Sequence, residues 1–328
     1  MTATPITVSV TGAAGQVGYA AIFRIASGEL LGPEQPVRLR VCEAPEAMGA
    51  LEAACMELQD CQYPLLHDLE ATDDPDVVFD GASWVLLFGA ARREAGMERN
   101  DLLGRNGEIF RRHGRAIAAR AAADVRVLVV GNPCNTNCLI AQANAPEVPS
   151  ERWFAMMRLD QNRAGSLLAR KAQVANGEVD NVVVWGNHSA TQFPDARNAR
   201  IAGRPAYEVI DDHEWLRGAF VDEVAQRGAA IIAARGASSA ASAAKAAIDT
   251  VRDLNAPSAP GTWHSVGVRS TGEYGIPEGL VFGFPVRTEP TGWSLVPDLE
   301  IDDVARHALK RTTEELLRER DAVSALLP

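Results

Sequence analysis

Two rhythms of apolar and polar positions run through the first half of the chain. Short β-branched or wholly apolar runs predict strands at Ile6–Val10 (ITVSV), Val37–Val41 (VRLRV), Trp84–Phe88 (WVLLF) and Arg126–Val130 (RVLVV). The last two are almost continuously apolar, the pattern of strands covered on both faces. Helical spacing appears from Gln16 to Ser27 and in an Ala-rich stretch from Pro45 to Leu58. It recurs from Asp101 to Ala123, where Leu102, Ile109, Phe110, Ile117 and Ala118 repeat at the helical period. Strands alternating with helices need right-handed crossovers, so the first half reads as α/β with a doubly wound parallel sheet.

The second half has a different grain. It predicts a helix near Asp160, a strand at Asn181–Trp185 (NVVVW) and a long Ala-rich helix from Asp212 to Asp249. A break in that long helix is expected around Gly228, Gly236 and the neighbouring serines. Strand-like segments at Gly279–Val286 and a charged terminal helix from Asp302 to Ser324 follow. This is the pattern of a mixed α/β domain with antiparallel strands. The expected division is residues 1–155 for the first domain and 156–328 for the second, two domains of ordinary size in a chain of 328 residues.

Charge narrows the classes of partner. Forty-three acidic residues against 32 basic ones give a net charge of -11, the wrong sign for a sequence-independent nucleic-acid binder. All but Lys171, Lys245 and Lys310 of the basic residues are arginine, a bias set mainly by genome composition. Individual guanidinium groups still matter, because each offers a planar two-point fork to anions. Cys42, Cys55, Cys61, Cys134 and Cys138 are odd in number and form no CxxC pair. They fit reduced thiols better than a disulfide framework or a metal site. With no leader-like segment and no apolar run of the roughly 20 residues a bilayer requires, a soluble cytoplasmic protein is expected, with neither membrane nor nucleic acid as partner.

Candidate chemistry sits where strands end. Gly12, Gly15 and Gly18 lie between the first strand and the first helix, with Gln16 and Val17 among them. Such a turn lets backbone approach a pyrophosphate that the helix N-terminus attracts. Glu43 ends the second strand, where a carboxylate can accept from adenosine ribose hydroxyls and would repel a 2′-phosphate. The cofactor expected is therefore NAD rather than NADP. His188, in WGNHSAT, directly follows an apolar strand, a place from which a side chain reaches a cleft. Asp160 can orient its imidazole and stabilise the imidazolium. Arg163, three residues on, shares a helix face with Asp160. A 2-keto acid accepting hydride needs these things: a proton donor, a carboxylate clamp and a group polarising its carbonyl.

The motifs TGAAGQVGYA, MELQDC, GMERNDLL, GNPCNTN, RLDQNRA, WGNHSATQFPD, RGAAII, GASSAASAA and GEYGIPEGLVFGFPV span nearly the whole chain. In these the chain closely resembles cytosolic-type NAD-dependent malate dehydrogenases of the lactate/malate dehydrogenase superfamily. The resemblance implies a Rossmann-type NAD-binding domain followed by a substrate domain, acting on (S)-malate and oxaloacetate. It makes His188 the proton donor and acceptor, Asp160 its orienting carboxylate and Arg163 the clamp on the C1 carboxylate. Arg99 would polarise the carbonyl, and Arg93, on a mobile loop, would pair with the distal carboxylate. Asn132 would touch substrate and nicotinamide and precede a cis proline, whereas Asn106, His113 and Val130 fall on cofactor-contact positions. A homodimer, the cytoplasm and the tricarboxylic acid cycle are further implications. Three departures stand out: Arg92 where relatives often carry proline, Gln161 for a usual histidine and His113 for a usual glutamine. Arg269 also replaces a commoner proline. Arg92 beside Arg93 admits an alternative substrate of the same chemistry with another anionic tail, such as a phosphonate. A non-catalytic dinucleotide-binding regulator is the reading from another class, disfavoured by the intact histidine, aspartate and arginine set.

Overall fold

The computed structural model describes residues 3–91 and 99–328. Its chain divides into two units, Met1–Ala155 with Ala240–Arg252 and Arg318–Pro328, and Met156–Ser239 with Asp253–Leu317. In the first, β1 (Ile6–Thr11), β2 (Val37–Cys42), β3 (Leu66–Thr72), β4 (Trp84–Leu87), β5 (Arg126–Val129) and β6 (Trp153–Ala155) lie parallel in the order β3-β2-β1-β4-β5-β6. Their crossovers carry α1 (Gln16–Ala26), α2 (Met48–Asp60), α3 (Pro75–Val78), α4 (Arg99–Arg120) and α5 (Cys134–Ala143). The apolar runs become the centre of the sheet. Val8 pairs with Leu39 on one side and Trp84 on the other, and Val10 with Val41 and Leu86; Val8, Val10, Leu39, Val41 and Leu86 are wholly buried. Strand order reverses between β1 and β4, which opens a crevice at their carboxyl ends, the usual ligand position in open α/β sheets.

Several elements of this unit escape a reading by periodicity, the four-residue α3 among them. The strand β3 (LHDLEAT) is largely polar and forms the sheet edge beside β2, where solvated side chains carry no apolar rhythm. Helix α5 has the opposite problem: Cys134 to Gln142 are all buried, so no polar face reveals the helix. The strand β6 spans only three residues.

The second unit begins with α6 (Arg158–Ala172), followed by β7 (Val179–Asp180), β8 (Val183–Trp185), β9 (Phe193–Asp195), β10 (Arg200–Ile201) and β11 (Arg204–Pro205). Next come α7 (Ala206–Val209), α8 (His213–Arg217) and α9 (Ala219–Arg235); α10 (Ala241–Asn255), which follows in the chain, belongs for the most part to the first unit. The chain ends through β12 (His264–Arg269), β13 (Val281–Glu289), β14 (Gly292–Leu295) and α11 (Asp303–Ala322). Pairings among β7 to β14 are antiparallel: β12-β13-β14, β8-β9 and β11-β10-β7. Leu168, Ile201, Ala206 and Phe220 centre a core between α6 and α9. The stretch 212–249 is three helices: the expected break falls at Gly236, and a second, not expected, at Gly218. Gly236 takes the left-handed conformation that ends helices. Gly228 does not break α9; glycine there costs only about 1 kcal/mol, and a Cβ at that place would stand 3.8 Å from the Arg163 guanidinium. Among the described residues, no helix is long and apolar enough to cross a membrane.

Two buried histidines give the fold a pH dependence. Burial pushes the imidazoles of His113 and His264 down from 6.5 to about 4; Arg112 adds to the effect at His113, whereas at His264 burial outweighs the opposing charge of Asp253 and Arg158 adds a smaller push. Between those values the unfolded chain binds more protons than the folded one, so stability falls as pH falls through that window. Each histidine contributes a loss on the order of 3 kcal/mol. Urea midpoints measured from pH 7 to pH 4.5 should therefore drop, and His113→Gln should recover part of the drop. Parallel curves for the two proteins would contradict the assignment.

Candidate active site

The turn after β1 is built around close backbone approach. Gly12 has φ +68°, and a Cβ on it would lie 2.5 Å from Gly89 N. The end of β4 and the β1–α1 turn thus meet with room for no side chain. The N–H groups of Gly12 and Ala13 donate to the Cys42 carbonyl, at 2.9 and 3.4 Å. Those of Ala14 and Gly15 donate to one carboxylate oxygen of Glu43, at 3.0 and 3.2 Å, and Ala44 N donates to the other at 3.3 Å. Glu43 therefore braces the glycine turn as well as standing at the tip of β2. Gln16, Val17 and buried Gly18 open α1, whose first N–H groups lack acceptors within the helix. Those donors, at the positive end of the helix dipole, suit a pyrophosphate. The side-chain-free cradle, the helix N-terminus and the acidic β2 tip together fit a dinucleotide.

The carboxyl end of β5 supplies a second cluster in this unit. Val130 and Gly131 both donate to the Leu87 carbonyl at 2.9 Å, and the Asn132–Pro133 peptide is cis. Asn106, fully buried on α4, accepts from Ala91 N at 2.6 Å and donates to the carbonyls of Ala91 and Asn132, each at 3.4 Å. It ties the last described residue before the 92–98 segment to the backbone of exposed Asn132. His113 lies further along the helix, buried with its ring edgewise against Phe79 and Phe110 at 5.5 and 5.9 Å. Arg92 and Arg93 lie outside the described residues, as does the side chain of Arg99, whose backbone begins α4.

In the second unit, Asp160, Arg163 and His188 come together. Asp160 occupies the first turn of α6 and is wholly buried. One carboxylate oxygen accepts from Arg163 Nη1 at 3.0 Å, and the other meets Nδ1 of His188. Burial works against ionisation of Asp160, but the charges and hydrogen bonds of His188, Arg163 and Gln192 outweigh it and hold the carboxyl below its usual value. The aspartate thus serves two partners at once, orienting the imidazole through Nδ1 and fixing the guanidinium. Arg163 Nη2 donates to Ser239 Oγ at 3.1 Å. The His188 and Arg163 side chains are 11% and 13% exposed, so each keeps an accessible edge.

Ser239 and Gln192 belong to this site, and Glu315 bonds to the neighbours of His188; all three escaped the reading of the sequence. The serine lies within GASSAASAA and Gln192 within WGNHSATQFPD, motifs noticed for their likeness rather than for any role of these residues. Glu315 sits on a charged helix where nothing in the pattern marks one glutamate from its neighbours. Gln161 also acquires a place: its amide donates to the Val182 carbonyl at 3.0 Å and accepts from Ser265 N at 2.8 Å, joining α6 to two strands. Among the described residues no cluster of histidine, cysteine and carboxylate side chains suits a metal ion.

Residues 6–155 match the NAD binding domain of lactate/malate dehydrogenases, and residues 157–327 match their alpha/beta C-terminal domain. The structure is similar to that of malate dehydrogenase from Naegleria fowleri, with 42% identity, a TM-score of 0.96 and all of both chains covered. It is also similar to lactate dehydrogenase from Trichomonas vaginalis in complex with NADH and oxamate. There identity is 35%, the TM-score 0.93, and coverage 98% of this chain and 99% of that one. Malate dehydrogenase from Plasmodium falciparum, at 20% identity and a TM-score of 0.82 over 98% of this chain and 100% of that one, shares the fold.

Proposed function

Because the chain belongs to the lactate/malate dehydrogenase family, we propose that it catalyses the reversible NAD-dependent oxidation of (S)-malate to oxaloacetate. The observation that carries this reading is the buried Asp160, bonded to both His188 and Arg163. In the oxidative direction, His188 accepts the C2 hydroxyl proton at Nε2 while Nδ1 stays on Asp160. The carboxylate stabilises the imidazolium so formed, the role carboxylates play beside catalytic histidines. NAD, when bound, supplies the hydride acceptor at nicotinamide C4. Arg163 presents its remaining N–H groups to the C1 carboxylate, Arg99 polarises the C2 oxygen, and Asn132 orients the substrate beside it. Gly12, Gly15, Gln16, Val17, Gly18, Glu43, Asn106, His113 and Val130 make or brace the cofactor site within residues 1–155, and residues 156–328 carry the acid–base chemistry.

Arg93 gives the malate assignment its specificity, as the cation for the distal carboxylate. The likeness to a malate dehydrogenase at 42% identity supports this choice, and that to a lactate dehydrogenase at 35% keeps the family's other substrate in view. In Arg93→Gln, kcat/KM should fall at least tenfold more for oxaloacetate than for pyruvate, since only oxaloacetate offers a second carboxylate. Equal losses would remove Arg93 from specificity. A second reading keeps the chemistry but places a phosphonate at the distal position; Arg92 beside Arg93 favours it by offering two guanidinium groups. The same resemblance supports a cytoplasmic homodimer working in the tricarboxylic acid cycle, whose mass sedimentation equilibrium would read.

A further inference from the structure

The catalytic histidine stands on a loop with little regular structure of its own. From Gly186 to Gln192 the backbone makes one isolated bridge, at Gly186 to Gly283. Alongside its internal turn bonds and the His188–Asp160 contact, two side chains of α11 bond to it. Thr312 Oγ1 accepts from Asn187 N at 2.9 Å and lies 3.1 Å from Thr191 Oγ1. It fills the space beside Gly186, where φ is +94° and a Cβ would stand 2.3 Å from the threonine. Three residues on, and so on the same helix face, Glu315 gathers donors from both sides of His188. A single carboxylate oxygen accepts from Asn187 Nδ2 at 3.0 Å, from Thr191 Oγ1 at 2.5 Å and from Ser189 Oγ.

We propose that Glu315 is a positioning residue for His188, holding Asn187, Ser189 and Thr191 so that the imidazole between them meets Asp160. The proposal rests on His188 being the proton-exchanging group. Asn187 and Ser189 are its immediate neighbours, so their side-chain bonds fix the backbone that aims the ring. An ionised carboxylate suits the task, since its oxygens accept several short hydrogen bonds and donate none. Misplacing a catalytic group by about 1 Å costs on the order of 10²-fold in rate, which makes the loop's anchoring a matter of turnover as well as of folding. A purely structural staple would affect stability and leave turnover alone.

The test compares Glu315→Leu, Glu315→Gln and His188→Asn, each assayed with whichever 2-keto acid the parent reduces fastest. Glu315→Leu should lower kcat about 100-fold, with KM and NADH affinity within threefold of the parent. Glu315→Gln retains an acceptor oxygen at the same reach and should recover at least tenfold of that loss. The low-field proton resonance of the His188–Asp160 bond should broaden in Glu315→Leu and persist in Glu315→Gln. Should Glu315→Leu not fold, the double variant Ser189→Ala with Thr191→Val removes two of the donors and should lower kcat at least tenfold. A folded Glu315→Leu, or that double variant, with kcat within threefold of the parent overturns the proposal. So does an equal loss in the Leu and Gln variants. Undiminished turnover in His188→Asn refutes instead the reading on which the proposal rests.

Discussion

His188→Asn is expected to bind NADH as the parent does and to turn over about 10³-fold more slowly. General acid–base catalysis by a positioned side chain contributes roughly 10² to 10⁴ in rate, and asparagine exchanges no proton near neutral pH. The cofactor features, from the glycine turn braced by Glu43 to the first turn of α1, lie in the first unit and include no atom of His188. Binding and turnover should therefore separate. Fluorescence titration with NADH and steady-state kinetics measure the two; full activity in the variant would exclude His188 as the proton-exchanging group.

Asp160→Asn should cost both turnover and stability. The amide cannot stabilise an imidazolium and no longer enforces one ring orientation, so kcat should fall roughly 10²- to 10⁴-fold. It also leaves Arg163, only 13% exposed, without its charged partner. Removing one member of a buried ion pair typically costs 3–5 kcal/mol, and a loss of about 3 kcal/mol is expected at neutral pH because the guanidinium keeps some solvent and Ser239. The pH dependence has a definite sign. The folded-state pKa of Asp160 is depressed, so its contribution is present above the ordinary carboxylate range and disappears as pH falls through the folded value. The stability gap between parent and variant should narrow in acid. A gap independent of pH, or kcat within threefold of the parent, would contradict the double role of Asp160.

Much of the first unit was legible because its strands are covered on both faces and announce themselves as apolar runs. The WVLL of β4 and RVLV of β5 are of this kind. The edge strand β3 and the buried helix α5 were not, since one has no apolar face and the other no polar one. Asp160 and Arg163 could be paired by helix spacing alone. That His188 closes the group from a loop 28 residues away in sequence could be inferred only from the chemistry a hydride transfer requires. Glu315 lies farther still, 126 residues from Ser189, and local pattern carries no trace of so distant a hydrogen bond. Glu43 was read as a ribose acceptor; its bonds to Ala14 and Gly15 add a bracing task that strand position alone does not disclose. Gly228, read as a helix breaker, sits instead where α9 passes the guanidinium of Arg163.

A net charge of -11 does not conflict with the proposed dianionic substrate, because the relevant field is local. Arg163 is fixed by Asp160 and Ser239 in the second unit, and the proposed function gives Arg93 and Arg99 separate tasks on the distal carboxylate and the carbonyl. The measurement that tests the whole assignment most directly is NADH oxidation with oxaloacetate, pyruvate and phosphonopyruvate, compared by kcat/KM. Oxaloacetate should be preferred over both by more than tenfold, about 1.4 kcal/mol in transition-state binding. A smaller preference, or a preference for either of the others, would contradict the malate assignment.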